Sequence, residues 1–400
     1  MATKRLAIPF KEMQLRVVGP KGAFLASRIQ KLDMNANIPT TDIDELGNYR
    51  HAGSVSGVPE VTATFSAMDV SVKIFAALTG ADASAYPAQG VSISQLGEVD
   101  IVGQVKDDKL ADYIKSVHGR RLQVTGFNFT YNVTGESTEE YTAQGSDKKW
   151  FKNDITVDSF TTPGTTFNLT QTPIQLKSGK YLLSVIVDGS YLDEVVATPA
   201  DGEYSVSGTV LTLGTAMANN CVVVYHTSPS GSNWAYVNDS TIPAAIRGKN
   251  VPVKIGLNNI QRVQTVTIRG TFPNQKIEEM GNSEVLGYTK QVPQVTGDIT
   301  VLDTDLELIA LLQTGSTASA DTEFGLCGYT VSGLNLIIEL EDPTNSCTPS
   351  GNAVLKTLYI PEISITSEGH STNVGNNSQQ TFGFKSVLGD LIIYSGIMPV

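Results

Sequence analysis

Four hundred residues exceed what one ordinary core organises, so the chain is expected to divide into two or three domains. Its 28 Lys and Arg stand against 40 Asp and Glu, a formal net charge of −12 with no basic run. That balance argues against a surface that grips nucleic acid through its phosphates, although like charge suits a wall that nucleic acid must slide past. Mean hydropathy is near zero, and no apolar run has the length of a signal peptide or a membrane span, so the expectation is a globular chain that folds in a cytoplasm. The 36 glycines and the short runs rich in Thr, Val and Ser, divided by turn signals, predict a mostly β protein. Cys221, Cys327 and Cys347 are an odd number without a CxxC pair, which reads as free buried thiols.

Near the start of the chain, DIDELGN at 42–48 has the look of a calcium loop. Such a loop needs an oxygen ligand at its fifth position and a bidentate Glu at its twelfth. Leu46 and Gly53 stand there instead, so the stretch reads as a turn. The pattern returns at 276–282 as KIEEMGN. Laid over 262–312 without a gap, residues 28–78 agree at fifteen of fifty-one positions, a duplication at an offset of 234. The shared residues are those that shape a backbone. Gly47-Asn48 and Gly281-Asn282 supply the positive φ of a tight turn. Pro59 and Pro293 open a Val-Pro-x-Val-Thr strand, where a missing N–H is tolerated.

In each copy an Asp, 69 or 303, then precedes an apolar stripe, Ile74, Phe75 and Leu78 or Leu308, Ile309 and Leu312. This predicts one short helix per copy, opened by a side-chain cap and closed near glycine. A strand follows, VDIVGQV from Val99 or LNLIIEL from Leu334, with one face apolar and the other, Asp100, Val102 and Gln104 or Asn335, Ile337 and Glu339, meeting something else. Long strands from Leu122 and Leu358 complete two β units. Between them, 153–230 carries short alternating runs broken by Asp188-Gly189, Asp201-Gly202 and Ser207-Gly208, the texture of a small β-sandwich. Trp150 and Trp234 flank it as packing residues, and 231–250 reads as a return linker. The expected domains are 1–150, an inserted sandwich with linkers at 151–246, and 247–400.

Residues 53–57, GSVSG, have the glycine spacing of a nucleophile elbow but place Val55 where a serine must stand. The sequence has no Walker A loop, HExxH or dinucleotide fingerprint. His51, His118, His226 and His370 are scattered and read as surface or turn residues. No catalytic, metal-ligating or cofactor-binding residues are expected, and the chain is not expected to be an enzyme.

The stretch LGNYRHAGSVSGVPEVTATFSAMDVSVKIFAALTG and its echo MGNSEVLGYTKQVPQVTGDITVLDTDLELIALLQTG resemble the core of bacteriophage tail tube proteins. The resemblance spans about 20–145 and 250–390, and the inserted segment resembles the Ig-like modules of phage tails and fibres. It implies a mostly β fold of two tail-tube-like barrel or sandwich domains, each flanked by one helix, plus the insert. It implies a structural virion protein whose rings stack into a tube that conducts the genome. Tubes of this family have sixfold rings, so a chain with two units implies a homotrimer forming a pseudo-hexameric ring. The implied partners are further copies, the tail terminator, tape measure and distal tail proteins, and phage DNA that passes without specific binding. No membrane is implied, and the chain would fold in the host cytoplasm and reside in the virion tail. The wall of the lumen is expected to be acidic, with Glu339 a candidate lumen-facing residue. The insert is too wide for the lumen and is expected on the outer wall, which implies a non-contractile tail and an insert that can be removed without loss of ring formation. The alternative is a virion or cell-surface decoration or adhesion protein built of β modules.

Overall fold

The computed structural model describes residues 13–26, 28–46, 49–68, 72–81, 90–106, 113–228, 246, 248–280, 285–302, 306–317, 321, 323–325, 329, 333–342, 353–372 and 377–399. It is mostly β, as the alternating runs require, and two short helices are its only α-helices among the described residues.

The first unit opens with β1 (Met13–Gly19), β2 (Gly22–Ala26) and β3 (Ile29–Asn37). A hairpin of β4 (Thr40–Ile43) and β5 (Gly53–Ser56) leads to β6 (Glu60–Ala67), α1 (Lys73–Thr79) and the short β7 (Val91–Ser92). Then come β8 (Glu98–Lys106), the 20-residue β9 (Tyr113–Asn132), β10 (Thr138–Gly145) and β11 (Asp147–Lys152). The insert runs through β12 (Asp154–Phe160), β13 (Gly164–Asn168), β14 (Leu182–Val187), β15 (Ser190–Tyr191) and β16 (Asp193–Glu194). It ends with β17 (Glu203–Ser207), β18 (Val210–Met217) and β19 (Cys221–Thr227). The second unit comprises β20 (Val253–Ile255), β21 (Asn258–Ile260), β22 (Val263–Thr271), the hairpin β23 (Asn274–Ile277) and β24 (Gly287–Lys290), and β25 (Gln294–Leu302). It closes with α2 (Glu307–Thr314), β26 (Leu336–Glu341), β27 (Val354–Ile360), β28 (Ile363–Ser371), β29 (Gln379–Ser386) and β30 (Ile392–Ser395).

The duplication holds down to single hydrogen bonds. Arg28 and Arg262 both adopt positive φ, 53° and 61°, and in each case the glutamine two residues on donates to that arginine's carbonyl. Pro59 and Pro293 stand directly before β6 and β25. Both helices end on a left-handed glycine, Gly80 or Gly315, and at their N-cap positions stand Val72 and Leu306, with no side-chain cap hydrogen bond among the described residues. The carboxylates expected to cap them, Asp69 and Asp303, lie outside the described residues, as do Gly47, Asn48, Gly281, Asn282 and Trp234.

Among the described residues neither unit closes into a barrel. Strands β3, β6, β10 and the second half of β9 form a four-stranded layer, and β22, β25, β29 and β28 form its copy. The first half of β9 turns away to pair with β8 and β11, so this one strand belongs to both layers of the first unit. In the second unit the outer layer is a separate sheet, β21-β20-β26-β27-β30-β7, to which the first unit contributes β7. Alternation sets the layers: Phe65, Phe129, Tyr141, Ile299 and Phe382 point from the inner layer into one core that spans both units.

The insert has its own core, including Phe167, Leu182, Leu211, Val223 and Tyr225. The other face of its β12-β19-β14 sheet carries Ile155, Val222, Val224 and Ile186 onto Val18 and Val102 of the first unit. Strand β19 is therefore apolar on both faces, as its run CVVVYHT requires. The partner of the second face of β8 is thus the insert, which lies on the outer layer, away from the inner layer's exposed face.

Candidate assembly interface

The two four-stranded layers are joined by one pairing. Strand β22 adds antiparallel to the second half of β9, with Ile268 opposite Phe129 and Thr267 opposite Thr130. Eight strands thus run side by side, β3-β6-β10-β9-β22-β25-β29-β28. In this row β22 is the copy of β3, and β28 is the copy of the second half of β9. The junction therefore joins the tail edge of one unit to the head edge of the next. Among the described residues the outermost strands pair on one side only, β3 with β6 and β28 with β29.

The internal junction is buried and locked. Phe127, Phe129, Tyr131, Val266 and Ile268 are all buried. A Cβ added to Gly270 would lie 2.0 Å from the Phe127 ring, so only glycine lets that ring cross the seam. Lys356 on β27, fully buried, reaches across to Glu139 on β10 at 2.6 and 2.8 Å. Tyr131 and Tyr141 donate to the same carboxylate at 3.1 and 3.0 Å, and the ammonium lies 5.4 Å from the Phe129 ring centre. Burial, then the Glu139 charge, pushes the Tyr131 phenol well above its ordinary pKa, so it remains a donor. The second hairpin clasps the first unit as well: Lys276 pairs with Glu60, Lys290 donates to the Leu96 carbonyl at 2.6 Å, and the Val285 amide donates to Ser146 at 3.0 Å.

The outer edges present the same positions to solvent. On β28 the residues from Thr366 to Ser371 are exposed, and the β4–β5 hairpin is exposed at all eight strand residues. Trp150, expected to pack at the domain junction, is 60% exposed beside Lys115 and Lys148, both within cation–π distance of its ring. Asp42 and Ile43 of DIDELGN end β4, and just beyond them Asp44 meets His51 at 2.5 Å.

The exposed face of the eight strands is rich in hydroxyls and amides, with Thr62, Thr64, Asn128, Thr130, Thr142, Thr267, Thr296 and Thr300 on it. Its charges nearly cancel: Asp33, Glu60, Glu140 and Asp298 stand with Lys31, Arg269 and Lys385, and two of the pairs touch, Lys31–Asp33 at 2.9 Å and Arg269–Asp298 at 2.7 Å. The acidic excess of the chain therefore lies elsewhere. Glu339 is on β26 of the outer layer, held by Lys254 at 2.7 and 2.8 Å, and not on this face.

Sequence reading missed the polar cluster beneath the insert. His118, expected at the surface, is buried with Asp100 at 2.8 Å. Arg121 N–H and the Tyr191 hydroxyl also donate to that carboxylate, at 2.9 and 2.8 Å. Burial alone would raise the Asp100 pKa, but the charge and hydrogen bond of His118, with the Arg121 backbone N–H, outweigh it and hold it below its ordinary value. Gln104 and Ser116 of the first unit donate to β12 and to the residue before it, and Asn220 of the insert donates to the Pro20 carbonyl. The signal was present in β8, whose Asp100 and Gln104 interrupt an apolar strand on the face that needed a partner. Compared with known proteins, the chain matches no family model and no curated protein. No helix among the described residues is long and apolar enough to cross a membrane.

Proposed function

We propose that the chain is a structural subunit of a phage tail tube, which assembles by repeating between molecules the junction it makes within itself. One observation carries this reading. The internal junction joins a β9-type edge to a β3-type edge, and the two edges left over are one of each type. Such heterologous contacts generate a ring when the rotation closes, and pairing removes exposed strand edges that would otherwise invite aggregation.

Three copies, the number implied by the tail-tube resemblance, contribute 24 inner strands. At about 4.8 Å between strands and about 40° of tilt, such a barrel measures about 48 Å between backbones, wide enough for a nucleic-acid duplex. The hydroxyl-rich, charge-balanced face becomes its lumen. Few cations are available there to hold phosphates, which suits passage over binding. The insert packs on the opposite side, on the outer wall, where it would obstruct a close-fitting sheath; the tail is therefore non-contractile. Electron microscopy of the purified chain, with native mass spectrometry, tests the reading: trimeric rings with a central hole, alone or stacked, are expected. A protein that stays monomeric across micromolar to millimolar concentrations overturns it.

A further inference from the structure

Resting on that reading, the duplication also specifies the seam between copies and makes it weaker than the seam within. Positions in β9 and β10 correspond to those in β28 and β29 at one constant offset. The β9–β10 bulge beside Gly126 recurs in β28–β29 beside Ser367, and Arg121 and Glu362 share positive φ. By the same rule β27 corresponds to the first half of β9, which places Lys115 where Lys356 stands.

We propose that β3 of a second copy adds antiparallel to β28, with Asp33 opposite Ser371, Met34 opposite His370 and Asn35 opposite Gly369. Its Lys115 then reaches over His370 to Gln380. These are the counterparts of Phe129 and Glu139 in the internal junction. The differences in chemistry set the strength. Internally a buried ammonium meets a carboxylate that two phenols also bond; at the seam it meets a neutral amide, and Thr372 and Phe382 replace Tyr131 and Tyr141. Both contacts have an ionised donor, but only the internal one adds the attraction of opposite charges, which is strong where water is excluded. The aromatic plug is also gone, since Glu368 and Ala36 stand where Phe127 crosses Gly270. A permanent lock is thus confined to the junction already made by the chain. The seam between copies can form and reopen until neighbouring rings trap it.

Two experiments in full-length protein with Cys327 and Cys347 replaced by Ser test this. In D33C/S371C, oxidation or a short thiol crosslinker should give covalent dimers and trimers, because directly opposed Cβ atoms lie about 5 Å apart. N37C/S371C, four residues out of register, should give none. In Q380E the restored carboxylate should lower the concentration for half-assembly by about tenfold, while K115M should raise it. Rings without a D33C/S371C crosslink, or equal crosslinking in both variants, overturn this register and leave the assembly reading standing. Crosslinks in open chains support the register and overturn ring closure. A protein monomeric under all conditions overturns both. Unchanged assembly in Q380E and K115M together overturns the placement of Lys115.

Discussion

Replacing Lys356 by Met tests whether the internal junction is locked as its geometry indicates. The substitution keeps the length of the stem and its contact with Phe129 but removes the ammonium. Glu139, 4% exposed, then keeps a carboxylate among apolar rings with two phenols as its remaining donors in the cluster. Removing one partner of a buried pair costs about 3–5 kcal/mol, because the charge left behind has lost its solvent as well as its partner. E139Q should cost a similar amount, since the Lys356 ammonium would be left with an amide and the Phe129 ring. The double variant K356M/E139Q removes both charges, and its cost should fall short of the sum of the singles by at least about 2 kcal/mol, within the range of coupled neighbours. Urea unfolding followed by circular dichroism, at concentrations where the chain is monomeric, measures all four proteins. Singles within about 1 kcal/mol of the parent, or costs that simply add, would show that the pair is solvated and does not lock the units together.

The Asp100 cluster predicts an acid limit on insert docking. Its folded pKa lies below its unfolded one, so its contribution is present above the unfolded value, about 3.9, and is lost as pH falls through the folded value. D100N should flatten stability against pH in that acid range, and a parallel loss in both proteins would refute the assignment. Deleting 153–230 behind a Gly/Ser bridge was expected from sequence to spare ring formation. The shared core instead predicts that the deletion exposes Val18, Val102 and the His118–Asp100 pair, giving a first unit that binds a hydrophobic dye. Dye-free rings would contradict that. Burial, then the Asp188 charge, pushes the Cys221 thiol up to about 12, so in a C327S/C347S protein it should react with a thiol reagent only after unfolding. Rapid labelling of the folded protein would count against the packing of the insert.

Local signals made much of the architecture readable. Period-two alternation marked the strands, and the constant offset of 234 aligned Arg28 with Arg262 and Pro59 with Pro293. The apolar stripe before Gly80 and Gly315 marked the helices, because these features depend on residues a few positions apart. The mixed face of β8 announced a partner without naming it. What the sequence left open was every choice made over long separations. A 20-residue strand reads the same whether it serves one sheet or two, so the bend of β9 was invisible. Lys356 and Glu139, far apart in the chain, look like any solvated charges until pairing of β9 with β22 buries them together. His118 gave no local sign of Asp100, which reaches it across a strand pair. Repetition in the chain determined that two like units exist; only tertiary structure decided that they join head to tail, because strand edges are satisfied by whichever backbone the fold brings alongside.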